Sequence, residues 1–330
     1  MKRVALLSAT LLLVLIGVRY YQKINTHPTG PDVKPEFQVV VTPVPEKKPE
    51  VVKPQTQKTA TKKSITSPPL GRDASLTAQS LQDPDAFIPM TEDGGILIGQ
   101  ATVFVEDEVI VSHGDLIVAD LKDLKKIQES GEPLILPAPK FWPNGKVPFQ
   151  IAPELQGTDE ERAVKMAIEE YSQKTPIRFV ARVPEDKNYV IFSQGTENCL
   201  SNLGMIGGAQ KILLAVGCDK GKVIHEMMHT LGFLHEQNRE DRDKHLMVLW
   251  QNIDEEFHLQ FKKIKSSNQK ILQTGFDFTS IMLYPPEAFS ITPGDYAMVN
   301  AEGSPYPVNR HSLSTKDIER IKIIYAPKNE

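Results

Sequence analysis

From residue 225 to residue 235 the chain reads His225-Glu226-Met227-Met228-His229-Thr230-Leu231-Gly232-Phe233-Leu234-His235, and this run constrains the fold more tightly than any other. Two histidines four apart share one face of a helix, a turn apart, so both imidazoles reach a single metal ion. Glu226 follows the first of them and is offset from the pair, where it faces a water at that metal. Gly232 suits a left-handed C-terminal cap that ends the helix. The chain can then turn and bring His235 back as a third nitrogen ligand. Three neutral imidazoles and an open position suit a catalytic Zn²⁺, one per chain. Such a metal activates water and polarises a carbonyl, and Glu226 is placed to carry the proton to a leaving amine. By chance alone His-Glu-x-x-His arises in roughly one chain in a hundred of this histidine content. The glycine and the third histidine at fixed offsets make coincidence far rarer.

Around this run the chain changes character several times. Its 330 residues, 40% apolar and 24% charged, can bury a core, which excludes a disordered, fibrous or multi-span membrane protein. A net charge of −4 gives no reason to expect nucleic-acid binding. Two cysteines are too few for a four-thiolate zinc site and leave room for one disulfide in an oxidising compartment. Lys2 and Arg3 precede a mostly apolar run, Val4 to Val18, so residues 1–18 read as a signal sequence or signal anchor. No clear A-x-A cleavage site follows, and Tyr20 and Tyr21 suit a membrane interface, which favours an uncleaved anchor. Either reading puts the remainder outside the cytoplasm, membrane-anchored by the N-terminus or secreted. Residues 19–72 carry nine prolines and a local charge of +6, the text of a stiff, solvated linker.

Residues 73–140 form a small region with strand-like runs at Ile96–Ile98, Val103–Val105, Val109–Val111 and Leu116–Val118. Residues 141–330 read as a folded domain. Thr158 and Glu161 are spaced as a capping box, opening a helix whose apolar face is Ala163, Val164, Ala167, Ile168 and Tyr171. Strand-like runs follow at Ile177–Val183, Tyr189–Phe192 and Lys211–Val216, before the histidine helix. One helix, several short strands and a second helix predict an α+β fold.

The His-Glu-x-x-His-x-x-Gly-x-x-His run resembles that of the metzincin zinc endopeptidases. Its continuation, Glu236 to Asp243, is similar to the astacin family in particular, and argues against a matrixin. Ser280-Ile281-Met282-Leu283-Tyr284 resembles that family's Met-turn, with Leu283 where histidine is usual. Trp142 to Phe149, Lys174 to Phe179 and Leu313 to Tyr325 extend the resemblance over about residues 141–325. The resemblance implies a two-lobed domain, with a mixed N-terminal sheet and helices above a cleft and an irregular C-terminal lobe below. It implies that His225, His229 and His235 bind zinc, that Glu226 is the general base, and that Tyr284 is a further, switchable ligand that stabilises an oxyanion. It makes Met282 structural, Glu236 the anchor of a mature N-terminus, and Cys199–Cys218 a kept disulfide. A second family disulfide is absent as a pair, with Pro176 where one of its cysteines is usual. Protein or peptide substrates are implied, lying extended along the sheet edge.

Gly114-Asp115 matches the end of the F-x-G-D motif of the family's pro-segments, with Ser112 where phenylalanine is usual. On that reading residues 73–140 are an inhibitory pro-region, Asp115 is a metal ligand in a latent form, and cleavage between Asp115 and Trp142, for example after Lys140, frees the cleft. The alternative is a catalytically inactive peptide- or cell-wall-binding module on a membrane-tethered stalk. Inactive relatives usually lose the glutamate or a ligand, and here His225, Glu226, His229, His235 and Tyr284 are all present.

Overall fold

Short β-branched and apolar runs give the chain its strands. In order, the elements are β1 (Ile65–Thr66), β2 (Ile96–Leu97), β3 (Thr102–Glu106), β4 (Val109–Ser112), β5 (Leu116–Asp120), α1 (Leu121–Ser130), β6 (Ile135–Leu136) and β7 (Lys146–Ile151). There follow α2 (Asp159–Lys174), β8 (Arg178–Ala181), β9 (Tyr189–Gln194), β10 (Cys199–Asn202), β11 (Ala209–Leu214) and α3 (Lys220–Thr230). Last come β12 (Leu246–Val248), β13 (Met298–Asn300) and α4 (Thr315–Tyr325). The structure, a computed structural model, describes residues 65–66, 86–88, 90–98, 102–130, 134–266 and 269–326. The expected signal segment 1–18 lies outside the described residues, as does all of 19–72 except Ile65 and Thr66. Among the described residues no helix is long and apolar enough to cross a membrane.

Among the described residues nine strands form one sheet in the order β1-β3-β4-β5-β10-β11-β9-β7-β8. Strands β3, β4 and β5 of the expected pro-region, 73–140, thus share a sheet with the domain that follows. The seam is the parallel pairing of β5 with β10, in the register Leu116↔Ser201 and Ile117↔Asn202. The sheet also reaches back into the expected linker, since Ile65 pairs with Val103. An apolar cluster crosses the same boundary, joining Ile88, Ile96, Ile110, Leu116 and Leu136 to Leu203, Leu259 and Ile264.

α2 and α3 pack on the face that presents Val147, Val190, Phe192, Ile212 and Leu214. Ala163, Val164, Ala167 and Tyr171 of α2 are buried there, as their spacing predicts. Burying each large side chain of this core contributes roughly 1.5–3 kcal/mol. The expected capping box at Thr158 is half made: its side chain accepts the Glu161 N–H, but the Glu161 carboxylate accepts from Gly157. The reciprocal box occurs instead at Ser314 and Asp317, opening α4.

After Gly232 (φ +95°) the chain enters the second lobe. Its core gathers Leu246, Phe261, Phe276, Leu283, Met298 and Tyr306, and its backbone runs in short 3₁₀ turns with a single β12–β13 pair. Leu283, the departure from the Met-turn pattern, is a buried member of this core. α4 packs back on the first lobe through Ile321 and Tyr325.

Candidate active site

α3 presents the first two histidines. Its N-cap Asp219 accepts the Lys222 N–H at 3.0 Å. His225 Nδ1 lies 2.8 Å from the Ile281 carbonyl and His229 Nδ1 2.8 Å from the Phe233 carbonyl. A carbonyl only accepts, so each Nδ1 carries the proton and each Nε2 turns a lone pair inward. Gly232 ends the helix in the left-handed conformation expected of it. A Cβ there would press on Phe141 and Pro139, at 3.1 and 3.2 Å. His235 then returns, its Nε2 3.1 Å from that of His225 and 3.3 Å from that of His229.

Asp115 completes the cluster. Its Oδ2 lies 3.1 Å from His225 Nε2 and 3.2 Å from His235 Nε2, and its Oδ1 lies 3.2 Å from His229 Nε2. Among the described residues these four are the one group of metal-ligating side chains that converges. Burial pushes His229 down and His235 to about 3, against the pull of Asp115, so both are neutral at ordinary pH. Neutral lone pairs crowded this closely repel one another unless a cation sits among them. This donor set, three imidazole nitrogens and a carboxylate, with the His225 and His229 rings fixed by outer hydrogen bonds, fits Zn²⁺.

Glu226 is buried beside the cluster, and its Oε2 meets no hydrogen-bond partner in the protein. Burial first, and the nearby Asp115 charge second, push its carboxyl well above the usual range. The expected role of Tyr284 at the metal is not the contact it makes. Its ring lies 4.5 Å from that of His235, but its hydroxyl donates to the His113 carbonyl at 2.8 Å. His113 and Gly114 hold the β4–β5 turn with φ of 48° and 83°. A Cβ on Gly114 would collide with the Tyr284 hydroxyl, so only glycine lets the turn descend this far.

Glu236, the expected anchor of a mature N-terminus, is already occupied. Arg320 of α4 donates to both of its oxygens, at 2.6 and 2.8 Å, and the Asp277 N–H donates at 2.8 Å. Lys140 is exposed, but its carbonyl accepts the Met205 N–H at 2.8 Å and its backbone packs against Gly204. Trp142 is buried, its indole donating to the Thr230 carbonyl at 2.9 Å.

Several contacts had no sequence signal. Glu106 accepts the N–H groups of Glu197 and Asn198 at 3.2 and 2.7 Å, and Asp107 accepts that of Thr196 at 2.8 Å. These carboxylates clamp the β3–β4 turn onto the loop before Cys199. Beside the histidines lies a cavity of about 310 Å³, lined by Asp115, Val216, Glu226, Tyr284, Phe289 and Arg310. Arg310 is partly buried and stands near Tyr284 and Asp115. Cys199 and Cys218 are disulfide-bonded, as the resemblance implied.

A cleft between a helix-backed sheet and an irregular lobe, with a His-Glu-x-x-His helix at its floor, defines a zinc-dependent peptidase. The chain belongs to the astacin family of peptidases, whose model matches residues 136–326. It is a zinc metalloendopeptidase, with Zn²⁺ as cofactor and peptides or proteins as substrates. It is 33% identical over 218 residues to zinc metalloproteinase nas-4 of Caenorhabditis elegans, covering 65% of this chain and 68% of that one. Astacin-like metalloendopeptidase of Gallus gallus is 34% identical over 193 residues, 56% of this chain and 46% of the relative. The chain spans only 32% of nas-15 of Caenorhabditis elegans, to which it is 34% identical. Among solved structures it resembles high choriolytic enzyme 1, a hatching enzyme zinc-protease from Oryzias latipes. There the TM-score is 0.52 at 33% identity, covering 58% of this chain and 94% of that chain.

Proposed function

We propose that the described chain is the latent form of an exported endopeptidase, in which residues 73–140 block the cleft that residues 141–330 provide. The observation that carries this reading is the Asp115 carboxylate lying within 3.2 Å of all three imidazole Nε2 atoms. Two further contacts support it: β5 covers the edge of β10, and the Glu106–Asp107 clamp grips the loop before Cys199.

His225, His229 and His235 would hold the zinc, and in the latent form Asp115 would add its carboxylate to them. Bound there, zinc supplies Lewis acidity toward the scissile carbonyl and a water. Once the pro-region leaves, β10 pairs with extended substrate backbone. Withdrawal of Asp115 removes a like charge from Glu226 and lowers its carboxyl toward the range of a working base. Glu226 takes the proton of the attacking water and hands it to the leaving amine. Tyr284, released from the His113 carbonyl, donates its hydroxyl to the oxyanion that develops on the substrate. Cleavage at Lys140 requires local opening, because that backbone is hydrogen-bonded to Met205.

Export is supported by the bonded Cys199–Cys218 pair and by the basic, then apolar, N-terminus. Tethering through residues 1–18 is the finer part of this reading, tested by extracting membranes with carbonate and asking whether the chain stays behind. The catalytic part is tested with quenched peptides and the cleaved protein. Hydrolysis should fall about 10²–10⁴-fold in Glu226→Ala with zinc content kept. Chelation should abolish it and zinc restore it. Undiminished hydrolysis by metal-free protein would refute the reading. Asp115→Ala should raise the activity of uncleaved protein. Equal, low activity in both uncleaved forms with zinc bound would exclude Asp115 as the plug.

A further inference from the structure

The carboxylate of Glu236 sits one residue beyond His235, is 2% exposed, and borders a small cavity shared with Phe141, Met282 and Arg320. Its backbone is fixed too, the Glu236 N–H donating to the Met282 carbonyl at 2.9 Å. Arg320 is 3% exposed, and its guanidinium spends every nitrogen on this corner of the molecule. Nη1 and Nη2 fork onto Glu236, Nε donates to Thr274 Oγ1 at 2.8 Å, and Nη2 also reaches the Gly275 carbonyl at 2.8 Å. Thr274 and Gly275 open the segment that runs through Asp277 to the Met-turn, and the Asp277 N–H is itself on Glu236. One arginine from α4 therefore ties the residue after the third histidine to the loop beneath the histidines.

We infer that Arg320 is a positioning residue for the zinc site, supplying Glu236 with its cation from within the chain, so that a new N-terminal ammonium is not needed to complete the site. The inference rests on the zinc-peptidase reading of the histidines. A planar guanidinium fits this work because it delivers two parallel hydrogen bonds with fixed geometry. A lysine in its place keeps the charge and loses the fork. A buried carboxylate without a partner is strongly unfavourable, so Glu236 needs a cation at all stages, before and after cleavage. Arg320 meets that need in the uncleaved chain, where residues 139–142 are still internal, and the buried Arg239 adds a second cation 3.7 Å from the same carboxylate. Arg320 would act on the metal through the backbone that follows His235, since the His235 ring itself makes no outer hydrogen bond in the protein.

The test uses the zinc-loaded full chain and the same chain cleaved at an inserted protease site. Arg320→Lys and the paired Arg320→Met/Glu236→Gln, which removes both members of the ion pair together, are compared with the parent. Zinc affinity, read by chelator competition, should fall several-fold in both variants, more in the pair than in Arg320→Lys. In the cleaved enzymes kcat should fall while KM holds, as expected of a residue that acts by positioning the site and not by binding substrate. Inserted sites that create N-termini at 139, 141 and 143 should give equal kcat. Unchanged zinc affinity in folded Arg320→Lys would overturn the inference, and so would activity confined to one of the three N-termini. If the paired variant fails to fold, Arg320→Lys still decides. A parent that binds zinc through the histidines yet hydrolyses no peptide would count against the proposed function and leave the zinc-affinity comparison intact.

Discussion

At the scale of single residues, what holds Asp115 in the cleft is the absence of a side chain next to it. Gly114 has φ of 83°, and any Cβ there meets the Tyr284 hydroxyl. Gly114→Ala is therefore expected to lift the β4–β5 turn and to raise the residual activity of uncleaved protein toward that of Asp115→Ala. The quenched-peptide rate of the uncleaved variant checks it, and a rate equal to the parent's would remove Gly114 from the account. The histidines and Glu226 were legible because their spacing is local: one helix turn and one glycine cap fix their geometry. Arg320 was not, because it meets Glu236 across 84 residues. On its own sequence it reads as an ordinary helix arginine. The same holds for Glu106 and Asn198, 92 residues apart.

At the scale of elements, α2, α3 and α4 are joined by a buried carboxylate. Glu170 of α2 accepts from Lys174 and Lys220, at 2.9 and 2.8 Å, and from the Leu313 N–H ahead of α4 at 2.8 Å. Burial alone would raise its carboxyl, but the hydrogen bonds from Lys220, Lys174 and Leu313 together bring it below the ordinary 4.5. A lowered folded pKa means stability that is fully present above the ordinary value and is lost as pH falls through the folded one. The urea midpoint should accordingly drop on the acid side, and Glu170→Gln should flatten that limb while lowering the plateau. An acid limb identical in the two proteins would assign the effect elsewhere. Strands with clean β-branched runs, such as β4 and β9, could be read from sequence to within two residues. β7 carries Pro148 within it and β10 is only Cys-Leu-Ser-Asn, so neither announces itself. Both are strands because a partner from elsewhere in the chain pairs with them.

At the scale of the whole molecule, the sheet is continuous across the boundary that composition suggests near residue 140. Composition reports what each stretch can bury, not which neighbour it is buried against. The Cys199–Cys218 bond closes the loop between β10 and the start of α3, spanning 19 residues. Its reduction should cost roughly 3 kcal/mol. Urea melts with and without reductant measure this, and coincident melts would show the bond to be idle.

The parallel seating of β5 against β10 also bears on how the protein keeps in solution. While β5 is in place, β10 lies inside the sheet, with β11 on its other side. Removing residues 73–140 turns β10 into a bare margin, with a row of unpaired N–H and C=O groups ready for any extended chain, another copy included. The cleaved form is therefore expected to self-associate at concentrations where the uncleaved form stays dispersed, and a short extended peptide should reverse it. Light scattering on the two forms, side by side, measures the difference. On the proposed latency, the segment that blocks the cleft would also shield the margin through which the cleaved form would otherwise stick to itself.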